Sequence, residues 1–232
     1  MQSLNWISFA ETIFPLWVSC VLFYLPLISF LQQLDITIPV KKINFVSFIW
    51  NSSLSCLSFC GLFVALYDLY INNQLGCITT LNFDFDSFPD QFKSVIAVFS
   101  LTKVFEFGDT IILVLKRRKP SFLHIFHHFT VAIYCYFAFL YPSPVDYVFC
   151  LMNLFVHSIM YFYFAYNTYL KNARFLRPFI TFLQILQMII GTTCSVLNLY
   201  LNDINLINLS CFFMYFSYLF LFVKFALEQY IM

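Results

Sequence analysis

The four histidines of this chain lie close together in a strongly apolar sequence, and their spacing is suited to chemistry. Three of them, His124, His127 and His128, form one cluster, and the fourth is His157. Residues three and four positions apart share a face of a helix, so the cluster would present three imidazoles side by side. A neutral imidazole can act as a nucleophile, a general base or a metal ligand. Because polar groups at bilayer depth are costly, we interpret this cluster as a candidate functional site.

A second group of polar residues lies upstream, at Lys103, Glu106, Asp109 and Thr110. These residues recur every three to four positions, so on a helix they would form one stripe. One interpretation is an internal ion pair that neutralises Lys103 and ties helices together. A lysine, two acids and a threonine on one stripe favour a polar cavity instead, in which the ammonium could meet an anionic substrate.

Two further polar patterns follow the histidine cluster. Asn153, His157 and Tyr161 are spaced i, i+4, i+8, so they should face the same cavity. Gln184 and Gln187 lie three residues apart, further along the chain. Hydrogen bonding between membrane helices is the alternative role for such side chains. For the two glutamines this role is at least as well supported as ligand contact.

The elements that position these residues are predicted to be membrane-spanning helices. Of the 232 residues, 62% are hydrophobic and only 10% are charged. The net charge of +1 gives no electrostatic argument for binding nucleic acid. A span needs about 20 predominantly apolar residues. Hydropathy predicts a single-domain, all-α polytopic membrane protein over 1–232, with seven spans at about 8–31, 45–71, 94–115, 121–141, 145–169, 176–200 and 206–227.

The basic residues predict how the bundle is oriented. Nine of the twelve lysines and arginines fall on one side if there are seven crossings: Lys41, Lys42, Lys116, Arg117, Arg118, Lys119, Lys171, Arg174 and Arg177. The opposite side receives most of the acidic residues near span ends: Asp84, Asp86, Asp90, Asp146 and Asp203. The positive-inside rule therefore predicts a lumenal N-terminus and a cytosolic C-terminus.

The eight cysteines form no CxxC pair, so the sequence shows no zinc or redox motif. We predict that most of them pack as small apolar side chains and that the protein has no metal site. Cys77 and Cys211 both lie near the predicted lumenal side, where they could form a disulfide.

Taken in order, the four polar patterns resemble those of the ELO family of fatty acid elongases, which are KxxExxDT, HxxHH, NxxxHxxMYxY and TxxQxxQ. The first two match Lys103, Glu106, Asp109, Thr110 and the histidine cluster. The last two match Asn153, His157, Met160, Tyr161 and Tyr163, and then Thr181, Gln184 and Gln187. Phe164 departs from the family pattern, because many members carry a tyrosine at this position. The motifs cover about residues 100–190, and the seven-span layout covers nearly the whole chain.

The resemblance implies a condensing enzyme that joins a long-chain acyl-CoA to malonyl-CoA and releases CO₂, CoA and a 3-ketoacyl-CoA. It also implies seven helices that enclose an acyl tunnel, and no cofactor besides the two substrates. His127 would carry the acyl group, His157 would assist decarboxylation or polarise the carbonyl, and His124 and His128 would orient neighbours or stabilise the enolate. The implied substrate-binding residues are Lys103, Glu106, Asp109, Asn153, Tyr161, Gln184 and Gln187, with Lys116, Arg117, Lys171 and Arg174 for the CoA phosphates.

The resemblance further implies the endoplasmic reticulum membrane as the location. The implied partners are membrane lipid, a second copy of the chain, and the ketoacyl-CoA reductase, dehydratase and enoyl reductase of the elongation cycle.

Two other classes of protein share parts of this pattern. A di-iron desaturase or hydroxylase also uses HxxHH, but its site needs more histidine ligands than the four in this chain. A seven-span receptor or transporter shares the predicted orientation, but that class gives no reason for a histidine cluster on the cytosolic side.

Overall fold

The computed structural model of the protein describes residues 6–34, 36–76, 89–141, 143–170, 175–202 and 204–230. These segments contain helices, turns and short connections, and no strand, so the all-α prediction is confirmed. The eight main helices of the described segments are α1 (Trp6–Gln33), α2 (Val40–Ile71), α3 (Asp90–Phe105), α4 (Phe107–Leu115), α5 (Phe122–Leu140), α6 (Pro144–Tyr169), α7 (Arg177–Leu201) and α8 (Leu206–Tyr230).

Six of these helices, all except α3 and α4, are long and apolar enough to cross a membrane, and they match six of the seven predicted spans. The third predicted span, 94–115, is divided into α3 and α4 at Glu106. Glu106 keeps helical backbone angles, with φ −60° and ψ −13°, and its carbonyl accepts the Asp109 N–H at 3.0 Å. An i→i+3 bond of this kind indicates a locally tightened turn. Six predicted spans are therefore confirmed as continuous helices, but the predicted count of seven is not exact, because the third span consists of two shorter helices.

Side-chain contacts at both ends of the bundle show that α2 runs antiparallel to the segment formed by α3 and α4. At the end that carries the basic turn 116–119, Lys116 Nζ donates to Ser47 Oγ at 2.6 Å, which joins the end of α4 to the start of α2. At the other end, buried Asp68 of α2 accepts the Phe92 N–H of α3 at 2.9 Å. We call these two ends the basic end and the far end.

The helices pack so that α3, α5 and α6 occupy the interior. Helix α2 lies along most of α6, α7 pairs with α8, and α5 contacts both α3 and α8. Helix α1 packs on the outside of α4 and α5, where Tyr24 stacks on Phe107 with ring centroids 4.1 Å apart. Large apolar side chains such as Phe23, Phe59 and Phe220 are exposed on the outer surface. This surface suits a hydrocarbon environment, in which apolar groups need no burial.

Candidate active site

The start of α5 brings the three clustered histidines together. The Ser121 side chain caps the helix and accepts the His124 N–H at 3.2 Å, so the cluster occupies the first two turns. The ring centroids of His124 and His128 are 4.4 Å apart, and those of His127 and His128 are 5.5 Å apart. The cluster therefore lies near the basic end of the bundle, where α5 begins.

His127 is held by aromatic and hydroxyl groups rather than by charged ones. The Tyr218 ring of α8 lies 4.7 Å from the His127 ring, and the Tyr218 hydroxyl donates to the His127 carbonyl at 3.3 Å. Thr130 Oγ1 lies 2.6 Å from the same hydroxyl. The Nδ1 atoms of His127 and His128 are buried and have no hydrogen-bond partner within the described residues. Buried polar atoms are normally paired, so these nitrogens are candidates for ligand contact.

Lys103, Glu106, Asn153 and His157 form one buried polar network. Lys103 Nζ donates to Glu106 Oε1 at 2.7 Å and to Asn153 Oδ1 at 2.8 Å. Asn153 Nδ2 donates to His157 Nε2 at 3.2 Å, and His157 Nδ1 lies 3.5 Å from Glu106 Oε1. We assign the His157 proton to Nδ1 because Nε2 accepts a hydrogen bond. Glu106 Oε2 is buried and has no partner within the described residues. The network thus combines the ion pair and the polar cavity that the sequence left as alternatives.

Asp109 links the histidine cluster to α2 and α6. Its carboxylate accepts Trp50 Nε1–H at 2.6 Å and the Tyr161 hydroxyl at 2.6 Å, while His128 Nε2 lies 4.0 Å away. Trp50 belongs to no motif, and no spacing rule could have found it because it lies 59 residues before Asp109. Gly108 makes the contact with α2 possible, since an added Cβ would come within 2.5 Å of the Trp50 ring.

A second residue missed in the sequence, Tyr24, reaches the site from α1. The Tyr24 hydroxyl lies 2.8 Å from Thr110 Oγ1, which itself lies 2.8 Å from His124 Nε2. Thr110 is fully buried, so this chain of hydroxyls can fix the orientation of the His124 ring. Nothing in the pattern of α1 distinguishes Tyr24 from the other aromatic residues of that helix.

The remaining predicted substrate-binding residues are less closely connected to the histidines. Gln184 donates to Met160 Sδ at 3.2 Å, which joins the fourth motif to α6. Gln187 is buried on α7, and the structure gives it no hydrogen bond to a histidine among the described residues. Arg117 Nη2 donates to Thr37 Oγ1 at 2.9 Å at the basic end.

The basic end also contains Lys116, whose pKa is lowered by burial and by the neighbouring Arg118. Lys171 and Arg174 lie outside the described residues, as does Cys77 of the predicted disulfide. Cys211 is a free, buried thiol 3.4 Å from Ser195 Oγ. Within the described part of the chain, no group of three or more His, Cys, Asp or Glu side chains could hold a metal ion.

Two apolar cavities extend from this polar centre toward the far end. The inner cavity, of about 50 Å³, is enclosed by α3, α5, α6 and α8, and Val131, Tyr134 and Tyr215 line it. The second, of about 340 Å³, is an open groove between α2 and α3 with α6 as its floor, and we call it the α2–α3 groove. Phe99 and Asn153 line both. The site therefore has apolar space for a hydrocarbon chain on two sides.

Comparison with known proteins agrees with the geometry. Residues 8–232 match the model of the ELO: GNS1/SUR4 family. Fatty acid elongase 2 of Trypanosoma brucei brucei is 34% identical over 206 residues, which cover 80% of this chain and 75% of that protein. Fatty acid elongase 3 of Trypanosoma cruzi is 31% identical over 228 residues, or 82% and 75% of the two chains. Very long chain fatty acid elongase 6 of Drosophila melanogaster is 38% identical over 146 residues, or 58% and 46%. The chain belongs to the ELO (GNS1/SUR4) family.

Proposed function

We propose that the protein is a fatty acid elongase that condenses an acyl-CoA with malonyl-CoA to give CO₂, CoA and a 3-ketoacyl-CoA two carbons longer. The observation that carries the proposal is the position of His127, a buried imidazole whose Nδ1 has no partner among the described residues and whose ring centroid lies 5.5 Å from that of His128. The three relatives compared above are all fatty acid elongases, which supports the same reaction.

In the first half of the reaction, a neutral His127 nitrogen attacks the acyl thioester carbon. The carbon–sulfur bond breaks, the imidazole proton passes to the CoA sulfur, and an acyl-imidazole remains on the protein. Splitting one difficult transfer into two easier steps is the advantage of nucleophilic catalysis. The Tyr218 contacts to the ring and carbonyl of His127 limit the movement of the imidazole, so the attacking nitrogen is held in place.

In the second half, malonyl-CoA loses CO₂ and the resulting enolate carbon attacks the acyl carbon. The nitrogen–carbon bond breaks as the new carbon–carbon bond forms, and the departing imidazole nitrogen takes up a proton from solvent, which regenerates neutral His127. The enolate oxygen needs fixed hydrogen-bond donors or positive charge nearby. Lys103, Asn153 and His157 form such a group, and they are already held in one network by bonds of 2.7–3.2 Å. His128 lies close enough to His127 to assist.

The basic end is the proposed binding site for the CoA part of both substrates. Arginine and lysine suit phosphate groups, and Lys116 and Arg117 follow the helix that leads away from the site. Lys171 and Arg174 are proposed to act with them. With CoA supplied from the cytosol, this end faces the cytosol, the N-terminus is lumenal, and the protein resides in the endoplasmic reticulum membrane. The 3-ketoacyl product then passes to a reductase, a dehydratase and an enoyl reductase, and we propose a homodimer as the unit that meets them.

The test measures incorporation of radiolabelled malonyl-CoA in microsomes across a series of acyl-CoA lengths. We expect elongation by the native protein and none by His127→Ala. A second measurement supplies acyl-CoA alone, follows one equivalent of CoA release and locates the acyl group by mass spectrometry. Acylation of a histidine other than His127 would overturn the assigned nucleophile. Absence of malonyl incorporation at every acyl length would overturn the proposed reaction.

A further inference from the structure

The α2–α3 groove reaches the polar centre more directly than the inner cavity does. Lys103, Glu106 and His157 line the groove, whereas Asn153 is the member of their network that lines the inner cavity. The groove is also the larger of the two, at about 340 Å³ against about 50 Å³. A hydrocarbon chain with its carbonyl at this network therefore fits the groove as well as the interior of the bundle.

The deep end of the groove holds a buried polar atom without a partner. Glu106 is 2% exposed, and its Oε2 accepts no hydrogen bond within the described residues, although its Oε1 is paired with Lys103. An unpaired buried acceptor is costly, and more so when it is charged. A ligand head group that carries a hydroxyl, enol or amide donor would remove this cost. The groove thus has a polar terminus suited to the head of an amphiphile.

The outer walls of the groove are apolar and open to the bilayer. Leu57 and Val64 of α2 and Val98 of α3 line it, and their exposed fractions are 43%, 38% and 46%. From Gln91 to Lys103 it follows α3 for twelve residues, which is about 18 Å at the helical rise per residue. An extended hydrocarbon chain advances roughly 1.25 Å per carbon from its bond lengths and angles, so about 14 carbons fit this length.

We propose that the α2–α3 groove is a lateral acyl site, through which the hydrocarbon chain of the substrate or product passes between the bilayer and the reacting centre. The proposal rests on the proposed function, because it takes the acyl-CoA of that reaction as the occupant. The head group stays at the Lys103–Glu106–His157 end, and the chain lies along α3 toward the far end. The acyl chain then need not be threaded lengthwise through the narrow inner cavity from the basic end.

Phe99 is the movable wall between the two cavities in this scheme. Its ring lines both of them, and Lys103 Nζ lies 4.3 Å from the ring centroid, which holds the ring by a cation–π contact. Rotation of this one side chain opens a passage beside Asn153, the other residue shared by both cavities.

The test is photolabelling of the full chain in phosphatidylcholine vesicles by an acyl-CoA that carries a diazirine in the middle of its acyl chain. We expect labelled residues on the facing walls of α2 and α3, within 57–64 and 91–98, and loss of the label when unlabelled acyl-CoA is added. Labelling confined to 131–138 and 214–215 of the inner cavity would overturn the proposal. Label spread over the outer helix faces, without competition, would also overturn it, since this pattern indicates partition into the bilayer alone.

Two exposed cysteines of α2 provide a matched pair of variants. Cys56 and Cys60 are one turn apart, with their Sγ atoms 4.0 Å from each other, but Cys60 lines the groove and Cys56 does not. Cys60→Trp should lower both photolabelling and elongation at least tenfold, whereas Cys56→Trp should leave both unchanged. Val98→Trp fills the groove from the opposite wall and replaces Cys60→Trp if that variant fails to fold. Equal behaviour of groove and control variants would refute the lateral site.

Photolabelling needs no turnover, so it separates this proposal from the proposed function. If unlabelled acyl-CoA abolishes labelling in the groove but no malonyl group is incorporated, the acyl site is supported and the condensation reaction is refuted. If malonyl groups are incorporated but only the inner cavity is labelled, the condensation reaction is supported and the lateral acyl site is refuted.

Discussion

Gly108→Ala is the substitution whose effect the structure specifies most closely. A Cβ at this position would lie 2.5 Å and 2.7 Å from two carbons of the Trp50 ring, so the indole must move. The same indole donates to Asp109 Oδ1 at 2.6 Å, and this bond would be lost as the ring shifts. We therefore expect the new methyl group to disturb the carboxylate that also accepts from Tyr161.

The expected destabilisation is the sum of three effects. Overpacking costs about 1–3 kcal/mol, and loss of a hydrogen bond to a charged group costs about 1.5–3 kcal/mol. Replacing glycine by alanine within a helix raises the free energy of unfolding by about 0.5–1 kcal/mol. The net loss in the free energy of unfolding is about 2–5 kcal/mol, which corresponds to a drop on the order of 10 °C in Tm for a chain of this size.

The assay is thermal unfolding of purified variants in detergent, with Gly61→Ala as the control. Gly61 is also within a membrane helix, but its nearest neighbours, Leu154 and Val95, would be 3.5–3.7 Å from a new Cβ. We expect Gly61→Ala to keep or slightly raise Tm. Adding Trp50→Leu to Gly108→Ala should cost less than Trp50→Leu alone, because the residues interact. An additive double variant, or equal Tm values for the two alanine variants, would refute the reasoning.

Three further predictions concern contacts away from the proposed nucleophile. Tyr24→Phe should lower turnover severalfold with little change in Tm, because it removes the hydroxyl that orients His124 through Thr110. The hydrogen bond that is lost contributes about 1 kcal/mol. Unchanged turnover would exclude this role for Tyr24. Lys103→Met alone should destabilise by about 3–5 kcal/mol because it leaves Glu106 unpaired, and adding Glu106→Gln should restore much of that loss, as measured by Tm. Asp68→Asn should lower Tm by weakening the bond to the start of α3, and a Tm equal to that of the native protein would contradict the importance of that contact.

The spans and the histidine cluster were predictable because both depend on local periodicity. Apolar stretches longer than 18 residues mark six of the helices directly. The spacing of His124, His127 and His128 placed them on one face, and the structure brings their rings to 4.4–5.5 Å. The i, i+4 pair Asn153 and His157 likewise share a hydrogen bond on α6.

The remaining features depend on contacts between distant segments, which no spacing rule contains. Trp50 and Tyr24 reach the site from α2 and α1, 59 and 86 residues away from their partners. The interruption at Glu106 was also not predictable, because hydropathy gives 94–115 as one continuous span with no break at this residue. The α2–α3 groove arises from the packing of three helices, so it has no signature in any one of them.

The distribution of unpaired polar atoms links the stability of the bundle to its function. Glu106 Oε2 and the Nδ1 atoms of His127 and His128 are buried and have no partner in the described part of the chain, and all three belong to the candidate site. In hydrocarbon each such atom carries a penalty that water cannot relieve. Most of the other buried polar groups around them, including Lys103 and Asp109, are paired at 2.6–2.8 Å. Because the surrounding polar groups are hydrogen-bonded and these three atoms are not, we infer that the three atoms form hydrogen bonds with a ligand. Of the three atoms, Glu106 Oε2 belongs to a residue that lines the α2–α3 groove, and it needs a hydrogen-bond donor from the ligand.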